Sequence, residues 1–425
     1  MPFDRLLNNE LVIHADDLTI GMFVSRLEVP WSQTDFNPAT FASHGILAQD
    51  FHTVEELQRS SKRLVIDREL SEPYAIGQII RASTRYISSN CRLTRNGRAA
   101  NGHEVTRAQI WQAQNRIRML EAAYIEYIKG FKGKGTPNLK HVLEALANCF
   151  TAVQRNPSIM LWASRLPRPG QEHAQHGATV CILSLYFGQY LELPHKEQMH
   201  LGLAGLLHDI GELCLSQALL RQEREYLSED RIAHRLHVGY GIDLLERDDE
   251  LDPKVMSAIS QHHEWVNGNG YPAGLRDYQL GDLGKILAIT DAYVGMTSRK
   301  VLRRRRTPQE AMEEIIGMSG KQFDSALSYR FVESVGIYPE GSLVELNTGD
   351  VGLVLSAPVG RKLTPKVAIK FNHRDQRITN KVIDLSQLDT LPQAPRVFIE
   401  KGLLDGSYGV SSNSYFQEVY ESLPV

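Results

Sequence analysis

Histidine and carboxylate side chains cluster at the ends of apolar helical segments in the middle of this chain. His208-Asp209 directly follows residues 201–207, which are leucine, glycine and alanine only. An aspartate beside such an apolar wall needs a cation or a strong hydrogen-bond partner, because burying an unpaired charge is costly. A second adjacent pair, His262-His263, ends a helix predicted to start near Pro253. Both pairs are candidate metal ligands.

Further candidates lie on three other segments. Glu172 and His176 are four residues apart, a spacing that places two side chains on one face of a helix. Asp291 interrupts the apolar run 286–290, and His237 lies on a helix with Gly241. Imidazole and carboxylate ligands together suit a divalent metal of hard to borderline character, such as iron, manganese or zinc.

Each of these residues also has an ordinary structural alternative. A single core histidine is more often satisfied by a backbone carbonyl than by a metal. Asp291 could equally cap a helix or form a salt bridge. His195, His234 and Arg235 are expected to be ordinary surface residues.

The segments that carry these residues are predicted to be helical. Apolar residues recur at helical spacing through 136–340 with almost no strand-like alternation, which predicts a compact helical bundle. The predicted helices are 106–129, 138–154, 174–191, 196–207, 231–247, 253–263, 281–297 and 308–317.

Two smaller regions flank this predicted bundle. Residues 8–70 are predicted to form a small α/β domain, with strands at 11–13, 22–24 and 64–67. Its helix, 53–61, begins with the capping-box pattern of Thr53 and Glu56. Residues 71–135 are predicted to be a linker, irregular at 94–102, that ends in the first long helix.

Residues 341–425 are predicted to be a β-rich extension, with strands at 343–346, 351–355 and 367–371 and a turn at Gly349-Asp350. The expected fold class is therefore mainly α: a helical bundle between a small N-terminal α/β domain and a short C-terminal β-rich extension.

Composition excludes several classes of protein. The 47 basic and 50 acidic residues give a formal charge of −3, which removes a global electrostatic argument for nucleic-acid binding. The basic run 303–306 is expected to be solvated. No stretch approaches the ~18–20 apolar residues of a membrane span, and the first residues lack a signal-peptide layout. Four dispersed cysteines without a CxxC pair indicate reduced thiols. We expect a cytoplasmic protein without a membrane segment.

The motifs in this order resemble those of the HD-GYP family, within the HD-domain phosphohydrolase superfamily. They are His208-Asp209-Ile210-Gly211, His262-His263-Glu264 and Gly268-Asn269-Gly270-Tyr271-Pro272. The resemblance covers about residues 140–340 and implies an HD-type helical bundle that breaks down the bacterial second messenger cyclic di-GMP. Residues 10–70, through the segment 18–24, resemble the small domain of unknown function that often precedes HD-GYP domains.

Carried over by position, the resemblance implies a set of metal ligands: His176, His208, Asp209, His237, His262, His263 and Asp291. Glu172 matches the extra carboxylate that some members use to hold a third metal. Two or three divalent ions are therefore expected, and iron is the metal most associated with such sites. We assign Asp209 as the bridging carboxylate, because it adjoins a ligating histidine and is the most buried candidate.

The resemblance also implies substrate contacts. Gly270, Tyr271 and Pro272 match a loop that shapes the binding pocket and contacts guanine. Lys300 and Arg303 fall where the family places basic residues against the phosphates.

One position departs from the family pattern. Members usually carry Lys after the motif His-Asp-x-Gly, whereas this sequence has Glu212. A carboxylate there repels a phosphodiester. It could still act as a general acid or bind metal if its pKa is tuned.

We therefore expect a metal-dependent phosphodiesterase that hydrolyses cyclic di-GMP to linear pGpG, with further cleavage to GMP left open and with Asp209 and Glu212 as catalytic residues. A cyclic di-GMP receptor without turnover is the alternative that Glu212 supports. A general HD phosphohydrolase acting on another nucleotide would leave the GYP string unexplained. By resemblance, diguanylate cyclase (GGDEF) proteins are candidate partners, and a homodimer is left open.

Overall fold

A computed structural model describes most of the chain between residues 10 and 410. The described residues are 10–15, 18, 23–27, 46–48, 57, 59, 63–67, 107–131, 137–166, 170–221, 227–298, 305–356, 364–372, 377–388 and 397–410. The predicted linker at 94–102, the capping residues Thr53 and Glu56, and the basic residues Lys300 and Arg303 lie outside them. Of the helix predicted at 53–61, Leu57 and Arg59 are described, and both are helical.

The N-terminal region contains a four-stranded antiparallel sheet. Its strands are β1 (Glu10–His14), β2 (Phe23–Leu27), β3 (Ile46–Leu47) and β4 (Arg63–Asp67). Their order is β1-β4-β2-β3, with Val24 paired to Ile66 across the sheet. Both residues are fully buried, as expected where the apolar side chains of adjacent strands share one face. The three strands predicted here are confirmed.

The helical body follows. Helices α1 to α5 span Arg107–Phe131, Leu139–Arg155, Pro157–Arg165, Glu172–Tyr190 and His195–Leu207. A 3-10 turn, Ile210–Cys214, comes next. Helices α6 to α12 span Gln217–Arg221, Ser228–Arg235, His237–Leu245, Pro253–Gln261, Asp282–Thr297, Pro308–Gly317 and Ser325–Val335. No helix among the described residues combines the length and hydropathy needed to cross a bilayer.

The helix predicted over 231–247 is two helices. Helix α7 ends at Arg235 and α8 begins at His237, with Leu236 in a turn between them. The carbonyl of His234 accepts a hydrogen bond from the imidazole Nδ1 of His237, 2.6 Å away. An uninterrupted helix would pair that carbonyl with the backbone N–H four residues later. The side-chain bond thus marks the break and turns the His237 ring inward.

A five-stranded antiparallel sheet completes the fold. Its strands are β5 (Leu343–Leu346), β6 (Val351–Ser356), β7 (Lys366–Phe371), β8 (Arg377–Asp384) and β9 (Ile399–Leu403), in the order β8-β7-β6-β5-β9, with a short helix, α13 (Leu385–Leu388), after β8. Side chains of Leu343 and Leu353 pack against Ile110 and Trp162 of the helical body. The predicted mainly α fold, with its N-terminal α/β domain and C-terminal β-rich extension, is confirmed.

Close packing of α4 on α5 sets the spacing of the histidines they carry. A Cβ added at Gly177 would lie 2.7 Å from the carbonyl oxygen of Leu206, so only glycine fits there. This contact brings His176, the neighbour of Gly177, towards His208 at the end of α5. The two imidazole rings lie 5.3 Å apart, centre to centre.

A second glycine contact holds the 3-10 turn against α8. A Cβ at Gly211 would lie 1.9 Å from the carbonyl oxygen of His237 and 2.4 Å from the backbone nitrogen of Gly241. Both atoms belong to the backbone, so that neither can move aside alone. The segment after His208-Asp209 is thus locked to the helix that carries His237.

We predict that Gly211→Ala destabilises the chain, by about 1–3 kcal/mol or more, because overpacking against fixed backbone is costly. Gly239→Ala is the matched control. Gly239 is exposed on α8, the helix that Gly211 contacts, and a Cβ at Gly239 meets no atom within 4 Å. That change should stabilise the chain by about 0.5–1 kcal/mol. Denaturant unfolding measures both, and equal stability of the two variants would contradict the contact.

Candidate metal centre

The carboxylate of Asp209 lies between four imidazole rings. Its Oδ2 is 3.1 Å from Nε2 of His208 and 3.5 Å from Nε2 of His176. Its Oδ1 is 3.4 Å from Nε2 of His237 and 3.8 Å from Nε2 of His262. Each carboxylate oxygen thus faces its own pair of histidines.

The potential ligands accordingly form two groups that share Asp209. One contains His176, His208 and Asp209, and the other contains Asp209, His237, His262 and His263, with the ligand atoms of each group within 4.8 Å of one another. Asp291 joins the first group, because its Oδ1 is 3.1 Å from Nε2 of His176 and 3.3 Å from Nε2 of His208. The two groups make room for two ions with one shared carboxylate.

Backbone carbonyls fix the orientation of three of these rings. The Nδ1 atoms of His208, His237 and His262 lie 2.9, 2.6 and 2.6 Å from the carbonyl oxygens three residues earlier. An Nδ1–H that donates to a carbonyl leaves Nε2 as the lone-pair nitrogen of a neutral imidazole. Metal-binding histidines are usually oriented by such a hydrogen bond from the ring nitrogen that does not bind the metal.

The donor set fits a divalent cation. A lone pair on Nε2 that faces a carboxylate oxygen is a repulsive contact, and a cation between the two atoms relieves it. Nε2 of His208 is fully buried and has no hydrogen-bond partner among the described residues. Mixed imidazole and carboxylate donors suit borderline metals such as iron, manganese and zinc.

The electrostatic environment keeps two of the histidines neutral and both aspartates ionised, which are the protonation states that bind a metal. Burial lowers the pKa of His262 to about 4 and that of His263 well below its ordinary value, with neighbouring histidines adding to the effect. Burial raises the pKa of Asp209 and Asp291, but the surrounding histidines outweigh it and hold both well below the usual range. Burial lowers the pKa of His208, yet the two carboxylates outweigh burial and raise it well above its ordinary value.

The centre is open on its carboxylate side. The side chains of His208, His237 and His262 are 0% exposed, whereas Asp209 and Asp291 keep 15% and 14% of theirs accessible. Three buried imidazoles thus close one side of the centre, and the accessible side carries Asp209, Asp291 and the partly exposed His176 and His263.

Glu212 lies beside this centre but belongs to neither ligand group. Its Oε2 is 3.2 Å from Nδ1 of His173, and its Oε1 is 3.2 Å from Nε2 of His234. The other nitrogen of His173 is 2.9 Å from the hydroxyl of Tyr124. His234, expected to be an ordinary surface residue, therefore holds a partly buried carboxylate. No local sequence pattern indicates His173, which lies 39 positions from Glu212.

Glu172 lies outside both groups as well. It is the first residue of α4 and is exposed, and its Oε1 accepts a hydrogen bond of 3.0 Å from the backbone N–H of Gly170. This bond lowers the pKa of the Glu172 carboxyl. The third metal expected there stays a prediction.

The loop that carries Gly270-Tyr271-Pro272 is anchored by Glu264, a residue of the His262-His263-Glu264 motif for which the sequence predicts no role of its own. Glu264 is 2% exposed, and its carboxylate accepts hydrogen bonds from the backbone N–H groups of Ala273, Gly274 and Leu275, at 2.6, 3.1 and 2.9 Å. A glutamate directly before a glycine-rich loop was the available signal, since such loops present unpaired N–H groups.

The anchored loop places Tyr271 on the metal centre. The Tyr271 ring lies 4.7 Å from the ring of His263, tilted by 32°. A Cβ at Gly270 would lie 2.3 Å from the backbone nitrogen of Trp265, so that the loop can fold back onto Glu264 only with glycine there. The expected loop residues thus adjoin the predicted ligands.

Comparison with known proteins identifies two domains. Residues 158–327 match an HD domain, and residues 11–119 match a domain of unknown function, DUF3391. A cyclic di-GMP phosphodiesterase of Pseudomonas aeruginosa is 31% identical over 58% of this chain and 60% of its own length.

Two more distant relatives show the range of activities among similar proteins. A 3′3′-cGAMP-specific phosphodiesterase of Vibrio cholerae is 24% identical over 39% of this chain and 32% of its own. A cyclic di-GMP phosphodiesterase of Thermotoga maritima is 28% identical over 31% of this chain and 36% of its own. The chain thus spans 60% of the first relative and about a third of the other two.

We predict that Glu264→Gln loosens this loop without removing metal. An amide can replace only one carboxylate oxygen as an acceptor, so at least one backbone N–H loses its hydrogen bond to a charged group, at about 1–3 kcal/mol of unfolding free energy. Denaturant unfolding and metal analysis measure the two effects. The exposed Glu250→Gln is the control and should change neither. Undiminished stability of Glu264→Gln would show that the carboxylate does not hold the loop.

We predict that Glu212→Gln lowers stability in a pH-dependent way. Burial and the Asp209 charge raise the pKa of Glu212, but hydrogen bonds from His173 and His234 outweigh them and lower it from 4.5 to about 2. A carboxyl whose pKa is depressed on folding stabilises the fold above its unfolded pKa and loses that contribution as the pH falls. The deficit should be about 1–3 kcal/mol at pH 7 and shrink between about pH 4.5 and 2.

Urea unfolding of chelator-treated wild type and Glu212→Gln, at pH 7 and at intervals down to pH 3, checks this expectation. The exposed Glu246→Gln serves as the control, with a change within about 0.5 kcal/mol at each pH. A deficit that stays constant from pH 7 to pH 3 would contradict the charge of Glu212 as its source.

Proposed function

We propose that this chain, whose residues 158–327 match an HD domain and whose motifs resemble those of HD-GYP proteins, hydrolyses cyclic di-GMP to linear pGpG in a metal-dependent reaction. The observation that carries the proposal is the carboxylate of Asp209, shared by two groups of imidazoles. The relatives named as cyclic di-GMP phosphodiesterases support the substrate.

In this proposal, His176, His208, Asp209 and Asp291 would hold one divalent ion, and Asp209, His237, His262 and His263 would hold the other. Such ions would supply Lewis acidity towards a water molecule and positive charge towards the phosphate. We propose iron, with manganese or zinc as the alternatives that the same donors accept.

The protein's own contribution is orientation. Backbone carbonyls hold the Nε2 atoms of His208, His237 and His262 towards Asp209, so these ligands need no reorientation. Burial keeps His262 and His263 neutral at pH 7. Glu264 holds the loop of Gly270, Tyr271 and Pro272 at the open side, where a guanine would enter.

The role of Glu212 is set by its partners. Its two oxygens accept hydrogen bonds from His173 and His234, so the carboxylate is fixed beside Asp209 instead of extending freely into the opening. We propose that it orients these histidines, and that it does not itself ligate metal. The contacts of Lys300 and Arg303 with phosphate, the GGDEF partners, the homodimer, the cytoplasmic location and the further cleavage to GMP stay predictions.

The test is a turnover assay on anaerobically purified protein with known metal content. Cyclic di-GMP and 3′3′-cGAMP are supplied separately, and the products are separated by chromatography. We expect pGpG from cyclic di-GMP, loss of turnover with a chelator, and recovery with Fe²⁺ or Mn²⁺. Cleavage of 3′3′-cGAMP alone would overturn the substrate. Tight binding of cyclic di-GMP without turnover by metal-loaded protein would favour the receptor.

We predict that Asp209→Asn removes turnover and lowers the metal content from about two ions to one or none per chain. The amide keeps the shape of the side chain but lacks the charge and the second oxygen acceptor that the shared position needs. Asp243→Asn, an exposed change on α8, is the control and should retain both properties. Full metal content and turnover in Asp209→Asn would refute the shared-carboxylate assignment.

A further inference from the structure

We propose that Arg235 binds a phosphate group of the substrate at the opening of the metal centre. The proposal rests on the function proposed above, since it names a contact at the same site. The family resemblance predicts Lys at position 212, where this sequence has Glu. Arg235 would supply a positive charge at the same site.

The position of Arg235 follows from the break between α7 and α8. Arg235 is the last residue of α7 and is exposed, and it precedes the fully buried His237 by two residues. The hydrogen bond from His237 to the carbonyl of His234 fixes the backbone on both sides of it. The arginine is therefore attached to the segment that positions a predicted metal ligand.

The guanidinium lies on an aromatic ring that leads to the centre. Its central carbon is 4.9 Å from the centroid of the Tyr271 ring, and that ring lies 4.7 Å from the ring of His263. Guanidinium, phenol and imidazole therefore follow one another from the surface to the ligands. A cation over a tyrosine face is held by the ring's quadrupole, which leaves its N–H donors directed outwards.

Those donors have no competing anion within the described part of the chain. No carboxylate oxygen there lies within 4.0 Å of Arg235, and its interaction with Tyr271 is the side-chain contact that the structure gives it. Arg305 and Arg306 differ, because Asp405 and Glu314 each lie 3.5 Å from one of them.

The charge around the centre favours phosphate as the ligand. The centre itself carries the carboxylates of Asp209, Asp291 and Glu212, so that Arg235 adds the positive charge that an anionic group needs beside them. A guanidinium presents paired N–H donors that match two phosphate oxygens. One of its faces is already covered by Tyr271. The edge is thus the part offered to a ligand, and this favours phosphate over stacking on a base.

The experiment compares Arg235→Gln with Arg235→Lys and with Arg231→Gln. Arg231 lies one turn earlier on the same exposed helix and has no aromatic contact among the described side chains, so its removal controls for net charge. Calorimetry on metal-loaded protein measures the affinity for GMP and for guanosine, which lacks the phosphate. Steady-state kinetics with cyclic di-GMP gives KM and kcat.

We expect Arg235→Gln to weaken GMP binding by about 10- to 100-fold, as for loss of a charged hydrogen bond, and to leave guanosine binding unchanged. KM should rise by a similar factor and more than kcat falls. Lys should restore part of the affinity, and Arg231→Gln should match wild type. Unchanged GMP affinity, equal losses for GMP and guanosine, or equal losses in Arg231→Gln would each overturn the proposal. Because GMP binding requires no turnover, this result is independent of whether cyclic di-GMP is hydrolysed.

Discussion

The contact of one carboxylate with four imidazole nitrogens is the constraint on which the middle of this chain depends. Asp209 has histidine Nε2 atoms at 3.1–3.8 Å on both of its oxygens. Four segments must therefore converge on a volume of a few ångströms. Buried charge of this density is tolerated only when it is compensated, which a cation between the donors would do.

Close backbone contacts contribute to this convergence. Gly177 lets α4 approach the carbonyl of Leu206, and Gly211 lets the 3-10 turn approach the carbonyl of His237. Carbonyls three residues back hold three imidazoles in place. Fixed backbone has few alternative arrangements, so these ligands are preorganised before any ion binds. Glu264 extends the same principle to the loop by collecting three backbone N–H groups.

The sequence predicted those features of the fold and the site that depend on residues close together in the chain. The run 201–207 predicted the burial of His208-Asp209, and the apolar periodicity predicted most helices. The helix Pro157–Arg165 was missed although Asn156, its cap, and Pro157 are a known start signal. Four-residue spacing put Glu172 and His176 on one helix, but the backbone N–H of Gly170 donates to the Glu172 carboxylate and holds it at the surface. The contact of His173 with Glu212 joins distant segments and leaves no local pattern.

Glu212 need not oppose an anionic substrate. The ionised carboxylate can only accept, so His173 donates to it through Nδ1 and His234 through Nε2. The other ring nitrogen of His173 shares a hydrogen bond with the Tyr124 hydroxyl, which keeps its proton because burial, followed by the charges of Asp209 and Glu212, raises its pKa well above its ordinary value. Two divalent ions held as proposed would carry four positive charges, of which Asp209, Asp291 and Glu212 would offset three. The centre would then stay net positive towards a phosphodiester, because the field there is set by the sum of its charges and not by the one residue that replaces a lysine.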